Sequence, residues 1–396
     1  MKVNIRDARF AQYAVPDESG ELDWTNALLA ALDVARTRFS FGSGMVTTPG
    51  THALVEVPAE LGPDGRLGPL RISQTIPLRS GDHYRGDSSE ASAFLFTHGG
   101  DGFVLDANFT QSAEDFGFES LGIHSLADAD GTRGIWLKGG GHAALCRDVT
   151  IGGFDRAVVL TGSELIDIDR LKVASWVGRQ LPTEGVTFDL APQGGGVTNR
   201  NSVSRSQFNG PRYAIRTLDG AGNLVESCNF NACGAMLLAE GSQGLVIRGC
   251  LAEGAYDEAL ILCGRAAGYP ARICWQSLSV EDCVLTIGAT RRDWLGTSAL
   301  IRTARGAQGQ HTSLRGTRIL GGRPDGHGGD LGACYGDTST GPFLTTSWVS
   351  PQSYDGAPVD TWCDPTASGV RAFFRGPPWF NDAVGQRWAT TARKVS

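Results

Sequence analysis

Gly134-Ile-Trp-Leu137 is followed, 23 residues on, by Ala157-Val-Val-Leu160. Each quartet sets a small residue before an alternating apolar pattern, as in a strand with one buried face. Reading outward from this pair, the quartet recurs upstream as Gly102-Phe-Val-Leu105. Downstream it recurs as Gly185-Val-Thr-Phe188, Ala214-Ile-Arg-Thr217, Ala235-Met-Leu-Leu238, Ala259-Leu-Ile-Leu262 and Ala299-Leu-Ile-Arg302. Five of the seven intervals lie between 21 and 29 residues; the other two, 32 and 40, leave room for insertions. Self-similarity at a short, nearly fixed period marks a stacked-repeat architecture.

Every interval also contains a second strand-like run. Arg147-Asp-Val-Thr-Ile-Gly-Gly-Phe154, Ile166-Asp-Ile-Asp-Arg-Leu-Lys-Val173, Leu224-Val-Glu-Ser-Cys-Asn-Phe230, Leu245-Val-Ile-Arg-Gly-Cys-Leu251 and Leu278-Ser-Val-Glu-Asp-Cys-Val-Leu285 combine β-branched residues with Gly, Asn or Asp punctuation. A repeat of this length holding two or three short strands is one coil of a parallel β-helix, whose coils stack at the β spacing of about 4.8 Å. The small residue before each strand suits a tight corner. Leucine-rich repeats share the length but not the Leu/Asn consensus, and propeller repeats are longer. The expected fold is all-β: a single-stranded right-handed parallel β-helix over residues 51–322, at least eight coils of it from about residue 90.

Composition agrees. The chain has 396 residues, 54 of them glycine without a collagen period, which fits a turn-rich β fold. A net charge of −7 argues against a nucleic-acid partner, which calls for a basic face. No apolar run of signal-peptide or membrane-spanning length is present, so neither export by a leader nor membrane insertion is expected. The nine cysteines contain no CxxC pair and mostly sit inside strand patterns, so they read as buried thiols rather than a zinc site or disulfide framework. Residues 1–50 hold an amphipathic helix, Asp23 to Arg38, with Trp24, Leu28, Ala31, Leu32 and Ala35 on one face and Asp23 as N-cap. Laid across the end of the solenoid, it would block the open strand edges. Residues 323–396 break the pattern, carry Trp348, Trp362, Trp379 and Trp388 among several prolines, and read as an irregular C-terminal cap or oligomerisation segment.

The capping helix, the strand Ala53-Leu-Val-Glu-Val-Pro58, the Thr75-Ile-Pro-Leu78 strand with its Ser80-Gly turn, and the G-I-x-L coils resemble, in that order, the pectate-lyase-like right-handed parallel β-helix superfamily. Within it, the opening is most like bacteriophage tailspike and polysaccharide-depolymerase proteins. The resemblance covers about residues 20 to 322. It implies a virion tail protein, made in the host cytoplasm without a signal peptide, acting outside the cell on a bacterial surface glycan and assembling as a homotrimer, with other tail proteins as further partners. The superfamily holds hydrolases, lyases and non-catalytic binders alike.

The chemistry must come from columns of equivalent residues on stacked coils. Glycosidases need carboxyl groups about 5–5.5 Å apart in retaining enzymes and about 6.5–9.5 Å in inverting ones, distances that neighbouring coils supply. One cluster joins Asp155 and Arg156 with Glu184, Arg212 and Tyr213. Asp155 and Glu184 are the expected acid/base pair, while Arg156, Arg212 and Tyr213 would contact sugar. The second is Tyr256-Asp257-Glu258, similar to the adjacent acidic pair that opens a coil in polygalacturonase-type hydrolases. There Asp257 and Glu258 are catalytic candidates and Tyr256 a substrate contact. No cofactor is expected; calcium on Asp167 and Asp169 is the lesser option. His142, His311 and His327 read as loop residues.

The residues between the two core positions of each quartet, Val104, Trp136, Val159, Thr187, Arg216, Leu237, Ile261 and Ile301, are expected to face outward. Six of these eight are apolar, so the column needs a cover: the C-terminal segment, a loop or another subunit. Two function classes follow. One is a tail-associated depolymerase that cleaves glycan by carboxylate acid/base hydrolysis or lyase elimination. The alternative is a non-catalytic glycan-binding or structural tail protein. A secreted pectinase-like enzyme is a third, weaker reading.

Overall fold

The computed structural model describes residues 2–37, 53–59, 68–110, 113–175, 182–193 and 195–253, with strands and short connections within 259–321 and strands at 335–336, 360–364 and 371–375. The fold is all-β, 53% strand and 7% helix, and forms the expected right-handed parallel β-helix. The chain divides into two compact units: residues 1–186 with 190–206, and residues 187–189 with 207–396.

In the first unit, one sheet stacks Ile76–Leu78, Phe103–Asp106, Arg133–Lys138, Arg156–Thr161 and the beginning of Glu184–Asp189 in parallel. The register matches the quartets, with Phe103 opposite Ile135 and Ile135 opposite Val158. The other sheet is built of long strands, among them Gly117–Ser125, Gly141–Gly152 and Glu164–Val173. Each bends at a residue of positive φ, namely Ser120, Asp148 and Arg170, with Arg205 continuing the column; the latter two strands carry another near their start, at His142 and Leu165. The left-handed residue turns the chain without a loop, so the residue before it faces out and the residue after it faces in. The interior is aromatic: Tyr84, Phe94, Phe96, Phe103 and Phe118 interlock, with Tyr84 stacked on Phe118 at 5.1 Å.

The helix is Thr25–Thr37, with Leu28, Ala31, Leu32 and Ala35 buried as the periodicity requires. Asp23 accepts hydrogen bonds from the N–H and hydroxyl of Thr25. At the other end Arg36 holds the fully buried carboxylate of Asp82, donating to it from Nε at 3.0 Å and from Nη2, and donates also to the Pro77 carbonyl.

The second unit repeats the plan with shorter strands. Leu224–Glu226, Leu245–Arg248, Leu278–Glu281 and Thr312–Arg315 stack in parallel, as do Tyr213–Thr217, Ala235–Ala239, Ala259–Cys263 and Ala299–Thr303. Its corner column of positive φ is Ser227, Gly249 and Asp282. Phe208 stacks on Phe230 at 5.3 Å. Asp360–Asp364 and Arg371–Arg375 pair as an antiparallel hairpin. The remainder of residues 323–396, with Trp348, Trp379 and Trp388, falls mostly outside the described residues.

The outward residue before the corner alternates in sign from coil to coil. In the first unit Glu56, Arg85, Glu119, Arg147 and Asp169 are successive register partners; in the second, Glu226, Arg248, Glu281 and Arg315 are. Arg85 meets Glu119 at 2.7 Å, and Arg248 lies 3.8 Å from Glu226 and 3.3 Å from Glu281. Opposite charges directly across a ladder favour the correct register.

One alignment is corrected. The structure pairs Tyr213, not Ala214, with Ala235, so Ile215, Leu237 and Ile261 form one row and Arg216, Leu238 and Leu262 the other. A shift of one residue reverses the face. Leu237 and Ile261 therefore belong to the row of core residues, and Ile301 pairs in that same row. Leu238 and Leu262 face outward but are buried with Tyr213 and Ala235. Val159 and Thr187 are buried too. Of the expected outward column, Val159, Thr187, Leu237 and Ile261 are thus buried within the chain itself, while Val104 and Trp136 are half-buried.

Candidate functional site

Three register columns lie side by side on the outward face of the first unit's short strands and outline a candidate groove. Its floor would be the column Pro77, Val104, Trp136 and Val159. Exposure falls along it: Pro77 is exposed, Val104 and Trp136 are half-buried, and Val159 is buried. One wall is the corner column Asp101, Arg133, Arg156 and Glu184. The other is Asp106, Lys138 and Thr161, again in register. The strand alternation that buries Ile135 and Leu137 is what raises Trp136 outward between these walls.

Asp155 and Glu184 are brought together as expected, and Arg156 is what joins them. Its Nε lies 3.9 Å from Asp155 Oδ2 and 3.5 Å from Glu184 Oε2. Two carboxylates sharing one guanidinium nitrogen at these distances fall within the reach of an inverting pair, about 6.5–9.5 Å, or closer. They differ in access. The Glu184 side chain is 4% exposed and the Asp155 side chain 19%. Asp155 Oδ2 also accepts the Gly131 N–H at 3.0 Å, and the Glu184 N–H donates to the Asp155 carbonyl at 3.1 Å. Asp155 is thus the carboxylate that meets solvent, while Glu184 lies behind and fixes Arg156.

The rest of the groove pairs its charges as well. Arg133 binds Asp101 at 3.1 Å through its guanidinium and at 2.8 Å through its backbone N–H, while its Cζ stacks 3.7 Å from the Trp136 ring centroid. Lys138 Nζ lies 4.3 Å from the same centroid and 3.4 Å from Asp106. The Trp136 indole N–H donates to Thr161 Oγ1 at 3.1 Å. Sequence reasoning missed the Asp106, Lys138 and Thr161 wall. Its signal was present: these residues directly follow the second core position of their quartets, with opposite charges on adjacent coils.

Arg212 and Tyr213 belong to the second unit, where the Arg212 guanidinium sits 5.3 Å from the Tyr213 ring and Tyr213 is buried against Ala235, Leu238 and Leu262. The same strand carries an ion pair that the sequence reading did not single out: Arg216 donates to the buried Glu240 at 2.7 Å. Tyr256, Asp257 and Glu258 lie outside the described residues, as do His311 and His327. His142 is an exposed corner residue. Asp167 accepts from Ser202 at 2.6 Å. Asp169 accepts from Ser204 and lies beside two arginines, Arg205 at 2.7 Å and Arg170 at 3.2 Å, so its charge is met by cations of the chain. Among the described residues no group of three or more His, Cys, Asp or Glu side chains is arranged to hold a metal ion.

Fold and groove together define a right-handed parallel β-helix protein with an open, charge-lined face. No family model matches the chain, and no curated protein matches it. Its neighbours among solved structures include phage tailspike proteins, an iota-carrageenase, an α-1,3-glucanase and the Streptococcus pneumoniae surface protein and adhesin PfbA. The DFA-IIIase from Arthrobacter chlorophenolicus A6 is 13% identical, with a TM-score of 0.51 over 90% of this chain and 88% of that one. The Acinetobacter phage vb_AbaP_AS12 gp42 tailspike is 9% identical, with a TM-score of 0.48 over 91% of this chain and 64% of that one. The full-length tailspike protein 2 of Escherichia coli O157:H7 bacteriophage CAB120 is 11% identical, with a TM-score of 0.47, covering 89% and 42% respectively. The chain spans less than two thirds of either tailspike. At these identities the likeness shows the fold alone.

Proposed function

We propose that the chain is a phage tail-associated depolymerase that cleaves a bacterial surface polysaccharide in the groove of its first unit. The observation that carries this reading is Asp155: a solvent-facing carboxylate beside Arg156, at the deep end of a groove with an aromatic and apolar floor and polar walls. A sugar chain has the same make-up, apolar ring faces edged by hydroxyls. Asp155 transfers the proton, Arg156 steadies the developing negative charge or a uronic carboxylate, and Glu184 positions Arg156. Asp257 and Glu258, with Tyr256, are the alternative centre, and Arg212 and Tyr213 are further candidate sugar contacts. The tail location and the homotrimer rest on the sequence resemblance, since the buried outer row of the second unit lends the trimer no support.

A second reading has its own support. Both carboxylates of the cluster are already paired with Arg156, an arrangement that also suits a protein that grips glycan without cutting it. Incubating the chain with purified capsular polysaccharide separates the two: cleavage releases reducing ends, and ultraviolet absorbance of an unsaturated product marks a lyase. Asp155→Asn is expected to lower the rate by about 10²–10⁴-fold. If Asp155→Asn keeps full activity and Glu258→Gln loses it, the reaction centre is the second cluster. If the wild type cleaves nothing it binds, the binding reading replaces the enzyme.

A further inference from the structure

Trp136 stands out in its column. Its register partners on the flanking coils are both valine, Val104 and Val159, and a valine would fill the same step of the floor. The larger ring is held in one orientation by groups that do not form the core. Its N–H is fixed by Thr161 Oγ1 on the next coil, and the Arg133 guanidinium lies against it, itself tied to Asp101 through side chain and backbone. Lys138 lies over the ring as well, but its anchor is different. Its carboxylate partner, Asp106, is 63% exposed and 3.4 Å away, a contact of the kind that contributes little in water. The indole is therefore a rigid aromatic surface with one firmly held neighbour and one that leaves at small cost.

We propose that Trp136 is the sugar-stacking platform of the groove, and that Lys138 covers it in the free protein and swings off when a pyranose ring docks. The inference rests on the glycan reading above and deepens it by naming a positioning residue. The C–H face of the pyranose replaces the ammonium on the indole, and Lys138 is released to solvent. Pre-orienting the ring through Thr161 removes an ordering cost that docking would otherwise carry. Trp136 binds a sugar unit next to the one that Asp155 and Arg156 address. It acts by holding the chain in place, not on the scissile bond.

The probe is an array of immobilised bacterial capsular and O-antigen polysaccharides, read with the intact chain. The best-bound glycan is then taken into solution titrations. Trp136→Ala is expected to weaken binding at least tenfold and Trp136→Phe about threefold, with melting profiles confirming that both fold. Thr161→Val, which frees the indole N–H, should weaken it by a smaller factor. Lys138→Ala is expected to tighten binding, a gain that a merely structural lysine would not produce. If Trp136→Ala binds as the wild type does, or if no glycan on the array is bound, the platform is overturned. If Lys138→Ala loses affinity, Lys138 is a sugar contact and the cover is overturned. Binding that depends on Trp136 but is never followed by cleavage sinks the enzymatic reading and leaves the platform standing.

Discussion

The two units build the same corner and finish it differently. In both, a left-handed residue bends the chain, and at several corners the N–H just after it is met by a side chain of the next coil. The first unit uses a hydroxyl: the Leu171 N–H donates to Ser206 Oγ at 3.1 Å. The second unit answers with a file of thiols. The Cys228 N–H donates to Cys250 Sγ, the Cys250 N–H to Cys283 Sγ, and the Cys283 N–H to Thr317 Oγ1, each at 3.4 Å. Hydrogen bonding to Cys228 raises the Cys250 thiol to about 12, and the Cys283 thiol is pushed up by Cys250 and by burial. The difference teaches what these cysteines are for. Cys250 and Cys283 satisfy backbone donors, a role that a buried, protonated thiol fills.

The largest break in the comparison comes from the first unit alone. Arg36→Met strands the buried Asp82 carboxylate, and losing one partner of such a pair costs about 3–5 kcal/mol. Hydrogen exchange followed by mass spectrometry should show faster exchange through residues 53–175 while peptides from 224–253 change less. Uniform acceleration would mean that the two units unfold as one. Next is a pH effect with the same address. Burial lowers His124 to about 4 from 6.5, so the folded state resists protonation more than the unfolded one. Its stabilisation is complete above pH 6.5, falls as pH drops below that, and is gone near pH 4, a loss of about 3 kcal/mol. His124→Gln should flatten that limb of the stability curve; an unchanged slope assigns the acid sensitivity to other groups.

The thiol file supplies a mid-sized test in the second unit. Cys250→Ala leaves the Cys228 N–H buried without its acceptor and should cost about 1–3 kcal/mol in denaturant melts, whereas Cys250→Ser keeps an acceptor and recovers most of it. Equal losses would show that packing, not hydrogen bonding, sets the role. The smallest effect is on the outer ladders. Arg248→Gln should cost under about 1 kcal/mol, and the cost should shrink in high salt.

Much of this fold is written in the residues, and particular positions show where the writing stops. The quartets from Gly102 to Ala157 gave the correct register because the small residue opens the strand at the same place on each coil: Phe103, Ile135 and Val158 fall opposite one another, as do Val104, Trp136 and Val159. At Tyr213–Thr217 and Ala235–Ala239 both faces are buried, so alternation carries no information about register, and a small residue before the strand aligned Ala214 where Tyr213 belongs. Asp155, Arg156 and Glu184 were found together because stacking makes neighbours of equivalent corner positions. That Arg156 stands between the two carboxylates, and that only one of them meets solvent, depends on side-chain direction, which a column of letters does not hold. The cysteines read as buried, but their acceptor role needed the positive φ at Ser227, Gly249 and Asp282.

The alternating charges on the outer face also bear on how such a chain changes length over evolution. Their sign repeats every second coil, so the solenoid has a parity. Excising the Arg248 coil would set Glu226 against Glu281, and each such like pair works against the fold by up to about 1 kcal/mol. Excising two consecutive coils would instead bring Glu226 opposite Arg315 and keep the alternation. On this account gains and losses should be tolerated in twos, and single-coil deletions should melt earlier than double ones although they remove less. If the single deletions prove as stable as the double ones, the ladder sets no such rule.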